Sequence, residues 1–257
     1  MVEGAEVARI FEGCWNDILK EYVRVPPVWC SEKDLQVRLV CELNKRLKEV
    51  NTDPEEQLLA YAELPVSLDP SEFEEQMSVG RPRRTRKSEV YTADVAIVGW
   101  HKPSDYSPYL YLVAELKYYP TTLISVAMLA LAQGEFKGDV YRLLTFEGEA
   151  TMRAIEKIKE WQRIGPSVSD INYFLGRGKG RSQVEKMIDI VRRYVEFDHD
   201  IYAYLCVVDD LYADLESILL EEVKQYNPPQ RFKVLFKYIP INVERLELII
   251  SGSFNQS

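Results

Sequence analysis

The sequence predicts an α/β fold, a mixed central β-sheet flanked by helices. Three observations predict it. Apolar residues recur at three and four through residues 5–23 and 31–47, the pattern of two amphipathic helices. Three apolar, β-branched or aromatic runs follow: Gln57 to Val66, Val90 to Gly99 and Tyr109 to Tyr119. Helical segments then alternate with the apolar runs Ile201 to Val208 and Phe232 to Ile239. The order is helix, three strands, helices, strand, helix, strand.

Each element has a local reason. In the first helix Val7, Ile10, Phe11, Trp15, Ile18, Leu19 and Tyr22 form the apolar stripe, and Val25-Pro26-Pro27 ends it. The second begins at Ser31, which has capping-box spacing to Asp34. Its buried stripe is Leu35, Leu39, Val40, Leu43 and Leu47. Glu32 and Gln36 lie on that same stripe, so both point towards the sheet. Glu63 on the first strand reads as structural. Ser67 to Ser88 reads as a polar stretch, ending in the basic loop RPRRTRK at 81–87. Val140 to Ile164 reads as a helix stopped by Gly165-Pro166, with Leu143, Leu144, Met152, Ile155, Ile158 and Trp161 as its core positions. A helix over about 182–196 follows the loop GRGKGRS, and Leu211 to Tyr226 is the last helix, stopped by Asn227-Pro228-Pro229. Leu246 to Ile250 fits a final short strand.

The runs Val90–Gly99 and Tyr109–Tyr119 form a hairpin with a loop of about nine residues. Alternation puts Leu110, Leu112, Ala114 and Leu116 on one face, and Tyr111, Val113, Glu115 and Lys117 on the other. Asp94 is the one charge in the first run. Charges in so apolar a hairpin are costly unless they meet each other or a metal. Two converging carboxylates repel, and a hard divalent cation relieves that repulsion. A lysine on the same strand face can orient water and steady developing negative charge.

Asp94, followed by Glu115-Leu116-Lys117, resembles the signature of the PD-(D/E)XK nuclease superfamily. The resemblance covers residues 28–120, with a continuation to about 210; it departs at Ala93, where the superfamily pattern has proline. It implies a restriction-endonuclease-like core over 28–210 in one nuclease domain spanning 1–257. Residues 1–27 would be an N-terminal helical extension and 211–257 a C-terminal helix-and-strand addition. It implies Mg²⁺ or Mn²⁺ held by Asp94, Glu115 and the Leu116 carbonyl. Asp94, Glu115, Lys117 and Glu32 would be the catalytic residues, with Gln36 as a supporting polar group. The expected reaction is phosphodiester hydrolysis, with DNA as substrate and a homodimer compatible with it. Arg81, Arg83, Arg84, Arg86 and Lys87, with Arg177, Lys179 and Arg181 of the glycine-rich loop, are the expected phosphate contacts. The alternative is a non-catalytic nucleic-acid-binding or assembly protein on the same fold.

Composition narrows the field. The chain has 257 residues, 46% hydrophobic and 28% charged, as in an ordinary globular protein. A net charge of −9 argues against general coating of duplex DNA but is compatible with a local basic groove. Cys14, Cys30, Cys41 and Cys206 form no CxxC pair, and His101 and His199 are the two histidines. That pattern disfavours zinc and iron–sulfur sites and suits a reducing cytoplasm. No basic-then-apolar leader opens the chain, and the longest apolar window, Leu123 to Ala132, is too short to span a bilayer, so no membrane partner is expected. GRGKGRS lacks the Walker A order, and no G-x-G-x-x-G follows a strand. His199, in the acidic segment Glu196–Asp200, is a poor base for a serine triad.

Overall fold

Five strands make one sheet in the order β1-β2-β3-β4-β5. They are β1 (Glu56–Ser67), β2 (Val90–His101), β3 (Pro108–Tyr119), β4 (Tyr202–Asp209) and β5 (Phe232–Tyr238). The computed structural model describes residues 2–24, 32–51, 56–79, 90–101, 108–119, 149–178 and 180–240. Seven helices lie within them: α1 (Gly4–Arg24), α2 (Glu32–Val50), α3 (Pro70–Val79), α4 (Glu149–Ile164), α5 (Val168–Phe174), α6 (Gln183–Glu196) and α7 (Leu215–Lys224). Ser31, residues 140–148 and the strand expected over Leu246 to Ile250 fall outside the described residues. Among the described residues no helix is long and apolar enough to cross a membrane.

The sheet is mixed. β1, β2 and β3 are antiparallel neighbours, whereas β3–β4 and β4–β5 are parallel. β3 is therefore the strand at which antiparallel pairing gives way to parallel. Helices cover both faces. On one, Val7, Phe11, Trp15 and Leu19 of α1 join Leu35, Leu39, Leu43 and Leu47 of α2, with Ile97, Leu112, Leu116 and Cys206 beneath them. On the other, Phe73, Ile158, Phe174, Met187, Val191 and Leu219 bring α3 to α7 onto Tyr91, Val113, Leu205 and Val207. The α1 stripe was therefore legible as a core-facing helix. β4 is covered on both sides, which is why it reads as an unbroken apolar run.

Four expectations are corrected. The polar stretch after Val66 holds α3, because Asp69 accepts the Ser71 N–H at 3.0 Å to start the helix and Phe73 is fully buried. The last helix starts at Leu215, not Leu211. The Asp209 carboxylate takes the N–H groups of Leu211 (3.2 Å) and Tyr212 (2.7 Å), folding those residues into a turn. α5 was not foreseen. Finally, Leu110 and Tyr111 exchange faces. Ile97 pairs with Leu112 and Val98 with Leu110, so Tyr111 is the extra residue of a β-bulge. It turns onto the α1/α2 face, over Gly99, where a Cβ would stand 2.5 Å from the ring. Beyond the bulge Val113, Glu115 and Lys117 keep the face expected of them.

Candidate active site

Asp94 sits where β2 leaves β3. The β2–β3 pairing runs from Trp100↔Pro108 to Val95↔Ala114. On the other side Ala62↔Val95 and Leu64↔Ala93 are paired, while Glu63, opposite Asp94, has φ +53°. Side chains change phase here too: Val95 and Ile97 face α1 and α2, but Ala93 and Tyr91 face the opposite core. The freed backbone is satisfied locally. Gln36 Nε2 donates to the Asp94 carbonyl at 2.6 Å, and the Leu116 N–H donates to Asp94 Oδ2 at 2.8 Å. Glu63 pairs with Lys33 at the surface, the structural place expected of it.

Glu115 is held at both oxygens. Lys117 Nζ reaches Oε1 at 2.7 Å, and the Tyr91 hydroxyl donates to Oε2 at 2.8 Å. Glu115 is 4% exposed and Tyr91 fully buried. Burial, then the Glu115 charge, pushes the Tyr91 phenol well above its usual range, so it stays a donor. Burial alone would lower the Lys117 ammonium. The charge and hydrogen bond of Glu115 outweigh it, with Glu32 and Asp94 adding to them, and the net shift is upward. Lys117 is thus a fixed cation.

Glu32 comes in from the first turn of α2. Its Oε2 accepts the Tyr118 N–H at 3.3 Å and the Tyr173 hydroxyl at 3.0 Å. Glu32, Asp94, Glu115 and Lys117 therefore gather at the end of β3, and Gln36 braces Asp94 from below. Tyr91 and Tyr173 belong to the same cluster and were not foreseen. A phenol buried three residues before Asp94 needs an acceptor, which was the available signal for Tyr91.

The expected phosphate contacts divide differently. Arg81, Arg83, Arg84, Arg86, Lys87 and Lys179 fall outside the described residues. Arg177 donates to Glu222 at 2.7 Å and to the Tyr226 hydroxyl at 3.0 Å. Arg181 bonds Glu185 at 3.2 Å and also pairs with Asp189. Both guanidiniums are engaged by groups of their own chain, and neither bonds a residue of the carboxylate cluster.

Burial and the neighbouring Glu115 charge raise the Asp94 carboxyl from the usual 3.8 to about 7, against the Leu116 N–H and Lys117, which lower it. The folded chain without metal thus holds this proton more tightly than the unfolded chain. That stability is complete below the ordinary carboxylate range and is lost as pH rises through about 7. In EDTA, the stability of wild type relative to Asp94→Asn should fall between pH 5 and pH 8. Urea melts across that range check it; a flat difference would mean that Asp94 does not carry the shift.

Among the described residues no three His, Cys, Asp or Glu side chains form a ready-made metal cage. The residues present still fit a hard cation. The donor set is oxygen throughout, Asp94 Oδ1 has no hydrogen bond from a described residue, and each Glu115 oxygen retains a lone pair beside its one hydrogen bond. The chain matches no protein-family model, no curated protein and no solved structure.

Proposed function

We propose that this chain is a metal-dependent nuclease that hydrolyses phosphodiester bonds in DNA, on a restriction-endonuclease-like core of the PD-(D/E)XK kind. One observation carries the reading: Glu32, Asp94, Glu115 and Lys117 meet at the end of the strand where the pairing passes from antiparallel to parallel. The carboxyl ends of the strands are where open α/β sheets place ligands, and β3 brings its carboxyl end to this cluster.

Mg²⁺ or Mn²⁺ would be held by Asp94, Glu115 and the Leu116 carbonyl, with Glu32 beside them. Bound there, it would supply charge neutralisation at the phosphate and make a bound water more acidic than bulk water. The chain does the rest by position. The Leu116 N–H fixes one Asp94 oxygen, which leaves the other directed by default. Tyr91 and Lys117 fix Glu115. The Lys117 ammonium has three hydrogens. Glu115 takes one, and the others can face the attacking water and the phosphate oxygen on which charge builds.

A second reading has its own support. The Lys117–Glu115 pair is buried and hydrogen-bonded, which is also what a structural ion pair on a non-catalytic nucleic-acid-binding protein would need. Purified protein incubated with circular and linear DNA and RNA, in Mg²⁺, Mn²⁺ or EDTA, separates the two. Metal-dependent cutting of DNA is the expected result, and cutting of circles would make the enzyme an endonuclease. Retention of DNA without cleavage in either metal would favour the binding protein.

A further inference from the structure

α5 contributes a side chain that none of the motif residues accounts for. Tyr173 places its hydroxyl 3.0 Å from Glu32 Oε2 and 3.2 Å from the Tyr118 carbonyl oxygen. Its ring lies under the Lys117 ammonium, with Nζ 5.7 Å from the centroid. One side chain therefore touches the α2 carboxylate, the β3 backbone just past the motif, and the motif lysine. We propose, on the reading of this site as a nuclease centre, that Tyr173 is its positioning residue. It holds Glu32 and Lys117 in register with each other across the gap between α2 and β3.

The chemistry of the contacts supports the assignment. A phenol has one proton, and here it faces two acceptors, so it alternates between the carboxylate and the carbonyl. Glu32 Oε2 keeps a second donor, the Tyr118 N–H, throughout. The carboxylate is thereby aimed without being locked, as a group that must exchange partners with water or a cation requires. The ring acts on Lys117 from the side opposite in kind. Its π face attracts the ammonium and contributes no hydrogen-bond acceptor, so it limits where Nζ can go while leaving its hydrogens for Glu115 and for substrate. α5 itself is anchored by groups other than Tyr173. A capping box joins Ser167 and Asp170, Phe174 is fully buried, and Asp170 also accepts from the Tyr212 hydroxyl at 3.2 Å. Tyr173 is 39% exposed, and its ring meets that of Phe174 edge-on at 5.3 Å.

Three proteins test the inference: wild type, Tyr173→Phe and Tyr173→Leu, each assayed for DNA cleavage in Mg²⁺, for Mn²⁺ binding by calorimetry and for Tm. In ¹⁵N-lysine-labelled samples the Lys117 ammonium signal, assigned by its loss in Lys117→Ala, reports the ring. Tyr173→Phe should lower kcat about tenfold with KM and Mn²⁺ affinity unchanged, because one hydrogen bond to a charged group is removed, and Tm should barely move, because the bond is exposed and water takes its place. It should leave the Lys117 signal in place, whereas Tyr173→Leu should shift that signal and lower kcat further. An active wild type with Tyr173→Phe equal to it in kcat would overturn the inference and leave the nuclease reading standing. So would a kcat loss matched by a fall in Tm, which would make Tyr173 structural. A wild type inactive on every substrate would sink the nuclease reading, and the positioning role with it.

Discussion

Lys117→Ala should lose DNA cleavage by about 10²-fold or more while the protein still binds Mn²⁺. The ammonium is 2.7 Å from Glu115 Oε1 and is no metal ligand, so its removal takes away a charge that matters most when the phosphate becomes more negative. A stability loss accompanies it. The pair is buried, with side-chain exposures of 12% for Lys117 and 5% for Glu115. Breaking such a pair costs about 3–5 kcal/mol when nothing replaces the missing partner. A divalent cation bound by Asp94 and Glu115 would replace it in part. The Tm deficit of Lys117→Ala seen in EDTA should therefore shrink in Mg²⁺, while the cleavage deficit should not. A Tm deficit indifferent to Mg²⁺, in a protein whose wild type cuts nothing, would return Lys117 to a structural ion pair.

Glu115→Ala should be the most destabilising change in the cluster. It strands two buried donors at once, the Lys117 ammonium and the Tyr91 hydroxyl. The loss should again be of the order of 3–5 kcal/mol, and calorimetry should find no Mn²⁺ binding. Glu115→Gln is the control. Its amide oxygen can still accept from one donor, so it should fold more stably than Glu115→Ala yet bind Mn²⁺ no better. Wild-type Mn²⁺ affinity in Glu115→Gln would defeat the assignment of Glu115 as a ligand. The double variant Glu115→Ala/Lys117→Ala should lose less than the sum of the single changes, since each removes the other's unpaired charge.

What could be read from the chain, and what could not, follows from the range of the forces involved. Asp94, Glu115 and Lys117 stood out because a charge in a run of buried apolar residues has few explanations. Glu32 and Gln36 were legible because helical periodicity put polar groups on an apolar stripe. The Tyr111 bulge was not legible. Leu110 and Tyr111 are both apolar enough for either face, so no misplaced polar residue marks the change of phase. α3 was missed because one anchor, Phe73, does most of its packing among acidic neighbours. Tyr173 was missed because its partners come from α2 and β3, far off in sequence. Its helix was within reach: Ser167-x-x-Asp170 is the same kind of capping signal as Ser31-x-x-Asp34.

The change of pairing at β3 has a consequence for how the protein comes to be folded. β1, β2 and β3 are sequence neighbours and pair antiparallel, so their contacts close short loops. The β3–β4 pairing must wait for the whole chain from Tyr119 to Tyr202 to be drawn in. Contacts that distant form slowly. Asp94, Tyr91, Glu115 and Lys117 all belong to the early part, whereas Tyr173 belongs to the late one. During synthesis the acidic centre would thus exist first as an open, wetted patch on a three-stranded meander. It would acquire its burial only when α5, α6 and β4 arrive. Pulsed hydrogen exchange during refolding should accordingly protect the Leu116 amide before the Leu205 amide, and catalytic competence should appear with the second.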